Sequence, residues 1–262
     1  MVEYHSDRGV TRREFGLSVG FGLISVALGE ARVVESQSAP AGEGRLTARP
    51  ADRATTSLRS GPLGLESAGR DGVIQLPPVG TDGRVPLLVF LHGATQNGAA
   101  ILRRIGPAAD QAGVAVLAPD SRGTSWDAIT GRFGADVSFL DRALEHVFAR
   151  LPVDPGRVAI GGFSDGASYA LSLGLANGDL FPRVVACSPG FVIPVRLNGR
   201  PRFFVSHGIS DQILPIDRCS RVIVPQLLSR GYEVTYREFE GRHELPADTL
   251  AEALQWMTAG AA

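Results

Sequence analysis

A serine between two glycines is the first residue whose setting indicates chemistry. The segment Gly162-Phe163-Ser164-Asp165-Gly166 follows a predicted strand over 157–163 and precedes a predicted helix over 165–177. A sharp turn from strand to helix exposes the serine oxygen, as a nucleophile requires. The helix N-terminus adds backbone N–H groups and a positive dipole end, which suit a developing oxyanion. The alternative is a structural turn, because glycine and serine are common residues.

His243 is the predicted base, which a serine nucleophile needs near neutral pH. The chain has five histidines. Only His243 follows a late predicted strand, over 233–239, and also comes after a suitable acid, in the order serine, acid, histidine. The four others are His5, His92, His146 and His207. The alternative for His243 is an exposed loop histidine.

Asp211 is the predicted acid because it follows the predicted strand over 202–206. Its carboxylate would bind the far N–H of the imidazole, which fixes the tautomer and stabilises the imidazolium ion. Asp217 is the rival. It lies in what reads as the first turn of a helix, where an aspartate favours the helix start.

The loop after the predicted strand over 85–91 is expected to complete the site. We expect the backbone N–H groups of Ala94 and Asp165 to form the oxyanion hole, with His92 supporting the loop. Trp126 either lines a pocket or packs a loop. The candidate substrate-binding residues are Thr95, Gln96, Trp126 and Leu214.

Hydrophobic patterning predicts strands that alternate with helices, which indicates a mostly parallel sheet built from crossover units. Ligand sites in such sheets lie at the carboxyl ends of the strands. Strands are predicted over 73–76, 85–91, 114–117, 157–163, 183–186, 202–206 and 233–239. Helices are predicted over 98–112, 133–150, 165–177, 216–230 and 249–257.

The N-terminal segment predicts an export signal. Thr11-Arg12-Arg13-Glu14-Phe15 precedes an uncharged stretch over 16–29, which resembles a twin-arginine signal. These 14 residues are too few for a membrane-spanning helix, which needs about 20. We therefore expect a periplasmic or extracellular protein with contact to the membrane only through this signal. The alternative is a buried helix preceded by an unrelated arginine pair.

Domain boundaries follow from the change in composition. We expect a signal segment over 1–30, a disordered or linker segment rich in Ala, Gly, Pro and Ser over 31–70, and a catalytic domain over 71–262. The net charge of −1 and the lack of a basic run exclude a general electrostatic affinity for nucleic acid. Cys187 and Cys219 have no metal-site spacing, so no metal is expected, and they are either a disulfide or two free thiols.

Four motifs together resemble the carboxylesterase/phospholipase group of α/β-hydrolases, to which acyl-protein thioesterases and dienelactone hydrolases are similar. They are Leu91-His92-Gly93, the segment from Gly162 to Gly166, His207-Gly208-x-x-Asp211 and the late His243. Leu91 to Gln96 also resembles the corresponding loop of polyhydroxybutyrate depolymerase-type and feruloyl esterases. Those enzymes carry cysteine where this chain has Ala94, and Ala-Gly-Gly where it has Asp165-Gly166-Ala167.

The resemblance covers about residues 71–258 and implies an α/β-hydrolase fold with helices on both faces of the sheet. It implies a serine hydrolase that needs no cofactor and cleaves carboxylic esters by a two-step acyl transfer. The segments over 128–156 and 190–216 are mostly filled by predicted elements, so we expect no large lid, and an open, shallow site that favours small or short-acyl esters. Thioesterases and polyester or feruloyl-type esterases of the same fold are the alternatives. A catalytically silent envelope binding protein is a third, less favoured class. The oligomeric state is left open.

Overall fold

The structure is a computed structural model that describes residues 44–51, 54, 58–66, 69–78 and 83–259. The segment over 1–30, for which the sequence predicts an export signal, lies outside the described residues.

An eight-stranded sheet forms the centre of the domain, in the order β1-β2-β4-β3-β5-β6-β7-β8. The strands are β1 (Gly61–Pro62), β2 (Gly72–Gln75), β3 (Val85–Leu91), β4 (Ala115–Pro119), β5 (Val153–Phe163), β6 (Arg183–Cys187), β7 (Arg202–Gly208) and β8 (Val234–Phe239). β3 to β8 run parallel to one another, while β2 pairs antiparallel with β4 and β1 pairs antiparallel with β2 at the edge. The parallel strands therefore direct their carboxyl ends, and the loops that follow them, to one edge.

In the part of the chain that the structure describes, six α-helices cover the sheet. They are α1 (Gly98–Gln111), α2 (Asp127–Thr130), α3 (Ala135–Phe148), α4 (Asp165–Ala176), α5 (Ser220–Ser229) and α6 (Ala247–Thr258). Residues of α3, α4 and α5 share one apolar cluster, and residues of α1 and α6 belong to a second. Alternate residues of β3 enter the two clusters, Val89 the first and Phe90 the second, because successive side chains of a strand point to opposite faces. The predicted α/β-hydrolase fold, with helices on both faces, is confirmed.

Two predicted helices differ from the observed ones. The helix predicted over 216–230 is a 3₁₀ turn over Ile216–Arg218 followed by α5, because the backbone of Cys219 (φ −117°, ψ −102°) leaves the helical region. The helix predicted over 133–150 begins only at Ala135, after Gly134. Apolar spacing continues through both breaks, so periodicity alone does not locate them.

The N-terminal strap, which we define as residues 44–49, corrects the predicted linker. Leu46 is buried at 1% exposure, and its N–H donates to Asn177 Oδ1 at 2.8 Å. The Arg45 guanidinium binds Ala176 O at 2.5 Å and the Asp179 carboxylate at 2.8 Å. β1, also inside the predicted linker, pairs with β2. The described part of 31–70 therefore packs on the domain, although it lacks a long apolar period.

Both cysteines are buried, free thiols, and burial raises the pKa of Cys187 to about 11. Within the described ranges, no helix is long and apolar enough to cross a membrane. The same ranges contain no group of His, Cys, Asp and Glu side chains arranged to hold a metal ion.

Candidate active site

Ser164 lies at a sharp turn between β5 and α4. Its backbone has φ 58° and ψ −122°, a conformation that residues with a side chain rarely adopt. The turn requires glycine at both flanking positions, because the neighbouring atoms leave no space for a Cβ atom there. A Cβ atom at Gly162 would lie 2.3 Å from Gly166 C, and one at Gly166 would lie 2.2 Å from Leu91 O. The predicted strand–turn–helix placement of Ser164 is present.

Asp211 lies in the loop after β7 and is 5% exposed. Its Oδ1 accepts hydrogen bonds from the backbone N–H groups of Ile213 at 2.9 Å and Leu214 at 2.8 Å. The loop is also bonded to the segment after β8, since Ile209 N donates to Phe239 O and Ser210 N donates to Gly241 O. These backbone bonds hold Asp211 opposite the loop that carries His243.

His243 Nδ1 lies 2.6 Å from Asp211 Oδ2. The imidazole ring also packs on Phe163, the residue before Ser164, with 4.8 Å between ring centroids. The rival acid, Asp217, has a 77% exposed side chain and pairs with Arg221. The structure therefore brings His243 together with Asp211 and leaves Asp217 on the surface.

His243 contacts Phe163, the residue before Ser164, but no direct hydrogen bond joins Ser164 to His243 in the described part of the chain. Among the residues that the structure describes, the Ser164 hydroxyl has no hydrogen-bond partner. Catalytic hydrogen bonds are often long in proteins without substrate and shorten when substrate binds.

The loop after β3 lies beside the serine, because a Cβ atom at Gly93 would be 3.4 Å from Ser164 Cβ. The N–H groups of Ala94 and Asp165 donate to no acceptor within the described ranges. The Asp165 carboxylate instead accepts a hydrogen bond from Ser125 Oγ at 2.5 Å. Two unpaired backbone donors therefore lie next to Ser164.

His92 supports this loop from inside the protein. Its Nε2 accepts a hydrogen bond from Ser121 N at 3.0 Å, which requires the proton on Nδ1, and Nδ1 donates to Gly93 O at 2.7 Å. Burial lowers the pKa of His92, and this favours the neutral ring. The predicted supporting role of His92 agrees with these contacts.

Trp126 corrects one of the predicted substrate contacts. Its side chain is fully buried, its Nε1 donates to His92 O at 2.9 Å, and its ring stacks on Tyr169 at 5.3 Å. It packs the loop and does not line an open pocket. Short Gly- and Ser-rich sequence around a tryptophan does not reveal which way the ring turns.

The other candidate substrate contacts differ in their exposure to solvent. Thr95 and Gln96 are exposed, and Leu214 is half-buried against Gly190. The sequence-based prediction assigns no role to two residues near the site.

Ile213, beside Asp211, is 70% exposed, and the buried His207 lies 3.2 Å from Asp211 Oδ2. The signal for His207 was its motif with Asp211, in which only the aspartate was assigned a role.

Comparison with known proteins agrees with the observed fold. The family model for the alpha/beta hydrolase family matches residues 88–262. The chain belongs to the alpha/beta hydrolase family. The candidate esterase NocK of Nocardia uniformis subsp. tsuyamanensis is 30% identical over 238 residues, which cover 81% of this hydrolase and 67% of NocK.

Solved structures share the fold of the hydrolase. A truncated carbohydrate esterase from gut microbiota has a TM-score of 0.63 at 17% identity, and covers 81% of this chain and 98% of its own. Esterase PE8 has a TM-score of 0.60 at 20% identity, and covers 72% of this chain and 98% of its own. These two structures show the fold, and the predicted enzyme class, a carboxylic ester hydrolase, agrees with the esterase name of NocK.

Proposed function

We propose that this hydrolase cleaves small or short-acyl carboxylic esters through an acyl-enzyme on Ser164. The hydrogen bond of 2.6 Å between Asp211 Oδ2 and His243 Nδ1, beside the strained turn at Ser164, is the observation that carries the proposal. A carboxylate on Nδ1 leaves Nε2 unprotonated, and this is the nitrogen that accepts a proton from the serine. In this proposal, the buried Asp211 stabilises the imidazolium ion that forms.

The reaction proceeds in two balanced steps. His243 Nε2 takes the proton of Ser164 as its oxygen attacks the ester carbonyl, and the N–H groups of Ala94 and Asp165 bind the resulting oxyanion. When the tetrahedral intermediate collapses, His243 protonates the leaving alcohol. Water then attacks the acyl-enzyme, and His243 removes a proton from the water and returns it to Ser164.

The proposed preference for small substrates follows from what covers the carboxyl ends of the strands. In the described chain, the connection from β6 to β7 (188–201) contains no helix or strand. Thr95 and Gln96 on one side and Ile213 on the other are exposed. A shallow, open site provides little apolar surface for an acyl chain to contact. It therefore favours acetyl and butyryl groups over long acyl chains.

The test is hydrolysis of p-nitrophenyl acetate, butyrate, octanoate and palmitate by the wild type, Ser164→Ala and the surface control Ser138→Ala. We expect turnover of the short esters, full activity in Ser138→Ala, and a loss of at least about 10³-fold in Ser164→Ala. Equal rates on palmitate and acetate would contradict the short-acyl preference. Full activity in Ser164→Ala would contradict the site assignment.

Two further measurements separate the alternatives. Matched ester and thioester substrates distinguish an esterase from a thioesterase, and feruloyl and polyester substrates test the other relatives. Labelling of Ser164 by a fluorophosphonate distinguishes an enzyme from a silent binding protein. A folded protein that is neither labelled nor active would be a binding protein on this fold.

We also propose that the hydrolase is exported. The support is the arginine pair and the uncharged stretch over 16–29, which precede the strap. Removal of the leader before residue 44 would keep every packed residue of the strap. N-terminal sequencing of the protein from an envelope fraction tests this. Protein found only in the cytoplasmic fraction, with its N-terminus intact, would contradict export. A first residue after Leu46 would contradict cleavage before the strap, because the buried Leu46 would then be lost.

A further inference from the structure

His207 is a second imidazole on the carboxylate of Asp211. It ends β7 and is fully buried. Its Nε2 lies 2.8 Å from Leu214 O and 3.2 Å from Asp211 Oδ2, and its Nδ1 lies 2.7 Å from Ser220 Oγ. The two-step reaction above gives His207 no role, yet both of its ring nitrogens have hydrogen-bond partners.

The partners of His207 determine its tautomer. A carbonyl and a carboxylate oxygen can only accept, so Nε2 carries the proton. Ser220 can donate, so its hydroxyl donates to the unprotonated Nδ1. Burial lowers the pKa of His207 and thereby favours this neutral form. The titratable groups that face His207 are Asp211, His243 and, from β8, Glu238.

Both carboxylate oxygens of Asp211 have partners that restrict rotation of the side chain. Oδ1 accepts hydrogen bonds from two backbone N–H groups. Oδ2 accepts a hydrogen bond from His243 and lies 3.2 Å from Nε2 of His207. The same Nε2–H faces the carbonyl of Leu214, which closes the loop over 211–214. Rotation of the carboxylate away from His243 would break these bonds in a buried site, where unpaired polar groups are costly.

We propose that His207, oriented by Ser220, is a positioning residue that holds the Asp211 carboxylate toward His243. The proposal rests on the proposed triad. It assigns His207 no contact with substrate. Its effect reaches the reaction through the alignment of Asp211, and a displacement of about 1 Å in a catalytic group can cost about 10²-fold in rate.

Two substitutions distinguish the roles of the two ring nitrogens of His207. In His207→Gln, an amide nitrogen reaches the place of Nε2, whereas in His207→Asn it reaches only the place of Nδ1. We expect His207→Gln to retain most of kcat, and His207→Asn to lose about 10- to 100-fold in kcat with little change in KM. Phe204→Leu is the control, because it alters a buried residue of the same strand outside the site.

The pH profile of kcat/KM distinguishes positioning from a purely structural role. A histidine that loses an aligned carboxylate has a lower pKa. The acidic limb should therefore move to lower pH in His207→Asn and stay in place in His207→Gln. Loss of activity in proportion to unfolded protein, with the acidic limb unmoved, would overturn the proposal.

Proton NMR tests the positioning without any substrate. The short bond between His243 and Asp211 should give a far-downfield N–H resonance in the resting wild type. We expect it to weaken in His207→Asn and to persist in His207→Gln. An equal effect in both variants, or in neither, would overturn the role of His207. Failure of the esterase assignment would be seen separately, as unchanged activity in Ser164→Ala.

Discussion

The Asp211 carboxylate and the His243 imidazole meet at 2.6 Å across 32 positions of sequence. The loops after β7 and β8 bring them together, because these strands are neighbours and their loops exchange backbone hydrogen bonds. Asp211 and His243 are therefore placed by adjacent strand ends, while Ser164 is placed by the turn after β5.

Asp211 and Asp217 form a matched pair for testing the acid. Asp211→Asn should lower kcat by about 10⁴-fold, because an amide in place of the carboxylate favours the wrong tautomer of His243. Asp217→Asn should leave kcat unchanged, since Asp217 is exposed and bonded to Arg221. Steady-state kinetics on p-nitrophenyl butyrate provide the measurement. A large loss in Asp217→Asn with an active Asp211→Asn would reverse the assignment.

Gly166 tests the close packing of the turn at Ser164. In Gly166→Ala, the new methyl group would lie 2.2 Å from Leu91 O, so strand and helix must separate and Ser164 must move. We expect kcat/KM to fall by about 10²-fold or more. Gly123→Ala, where the nearest atom would be Ser125 O at 3.4 Å, should be tolerated. Circular dichroism confirms that both variants are folded, and full activity in Gly166→Ala would refute the argument.

Trp126 tests the distinction between loop packing and substrate contact. Trp126→Phe removes the hydrogen bond to His92 O, and should cost about 1–3 kcal/mol of unfolding free energy in urea because a buried acceptor loses its partner. The preference among acetyl, butyryl and octanoyl esters should not change. The control is Trp256→Phe, on α6. A shifted preference in Trp126→Phe alone would show that the ring touches substrate.

Asp179 gives the strap a pH dependence. Hydrogen bonds from Arg45, and then from Arg49, hold the pKa of the Asp179 carboxyl well below its ordinary value of 3.8. Below about pH 4, the unfolded chain takes up a proton that the native carboxylate resists, so this contribution to stability is lost as pH falls.

Asp179→Asn should be less stable than wild type by about 1 kcal/mol at pH 7, since the ion pairs are partly exposed. The difference should shrink as pH falls below about 4, because the asparagine does not titrate. Urea unfolding at pH 7 and pH 3 measures it, with the exposed Glu145→Gln as the control for loss of one negative charge. A difference that is constant with pH would disprove the linkage.

The sequence by itself determined the strand–helix alternation, the turn at Ser164 and the placement of Asp211 and His243 after β7 and β8. Buried parallel strands read as continuous apolar runs, and glycines beside a serine mark a turn that only they allow. These are local properties. Because parallel strands direct their carboxyl ends to one edge of the sheet, the sequence predicts that the residues following these strands lie at that edge.

Only the tertiary structure decided which way side chains turn and which distant groups meet. In the folded protein Trp126 is buried, Ile213 is exposed and the strap packs on α4. The imidazole of His207 lies beside the carboxylate of Asp211. Each outcome depends on contacts between residues far apart in sequence or on a side-chain rotamer that packing selects. Neither of these produces a hydrophobic period or a short motif in the sequence. The polar strap looked like a linker because its stability comes from hydrogen bonds and ion pairs to partners more than 90 residues away.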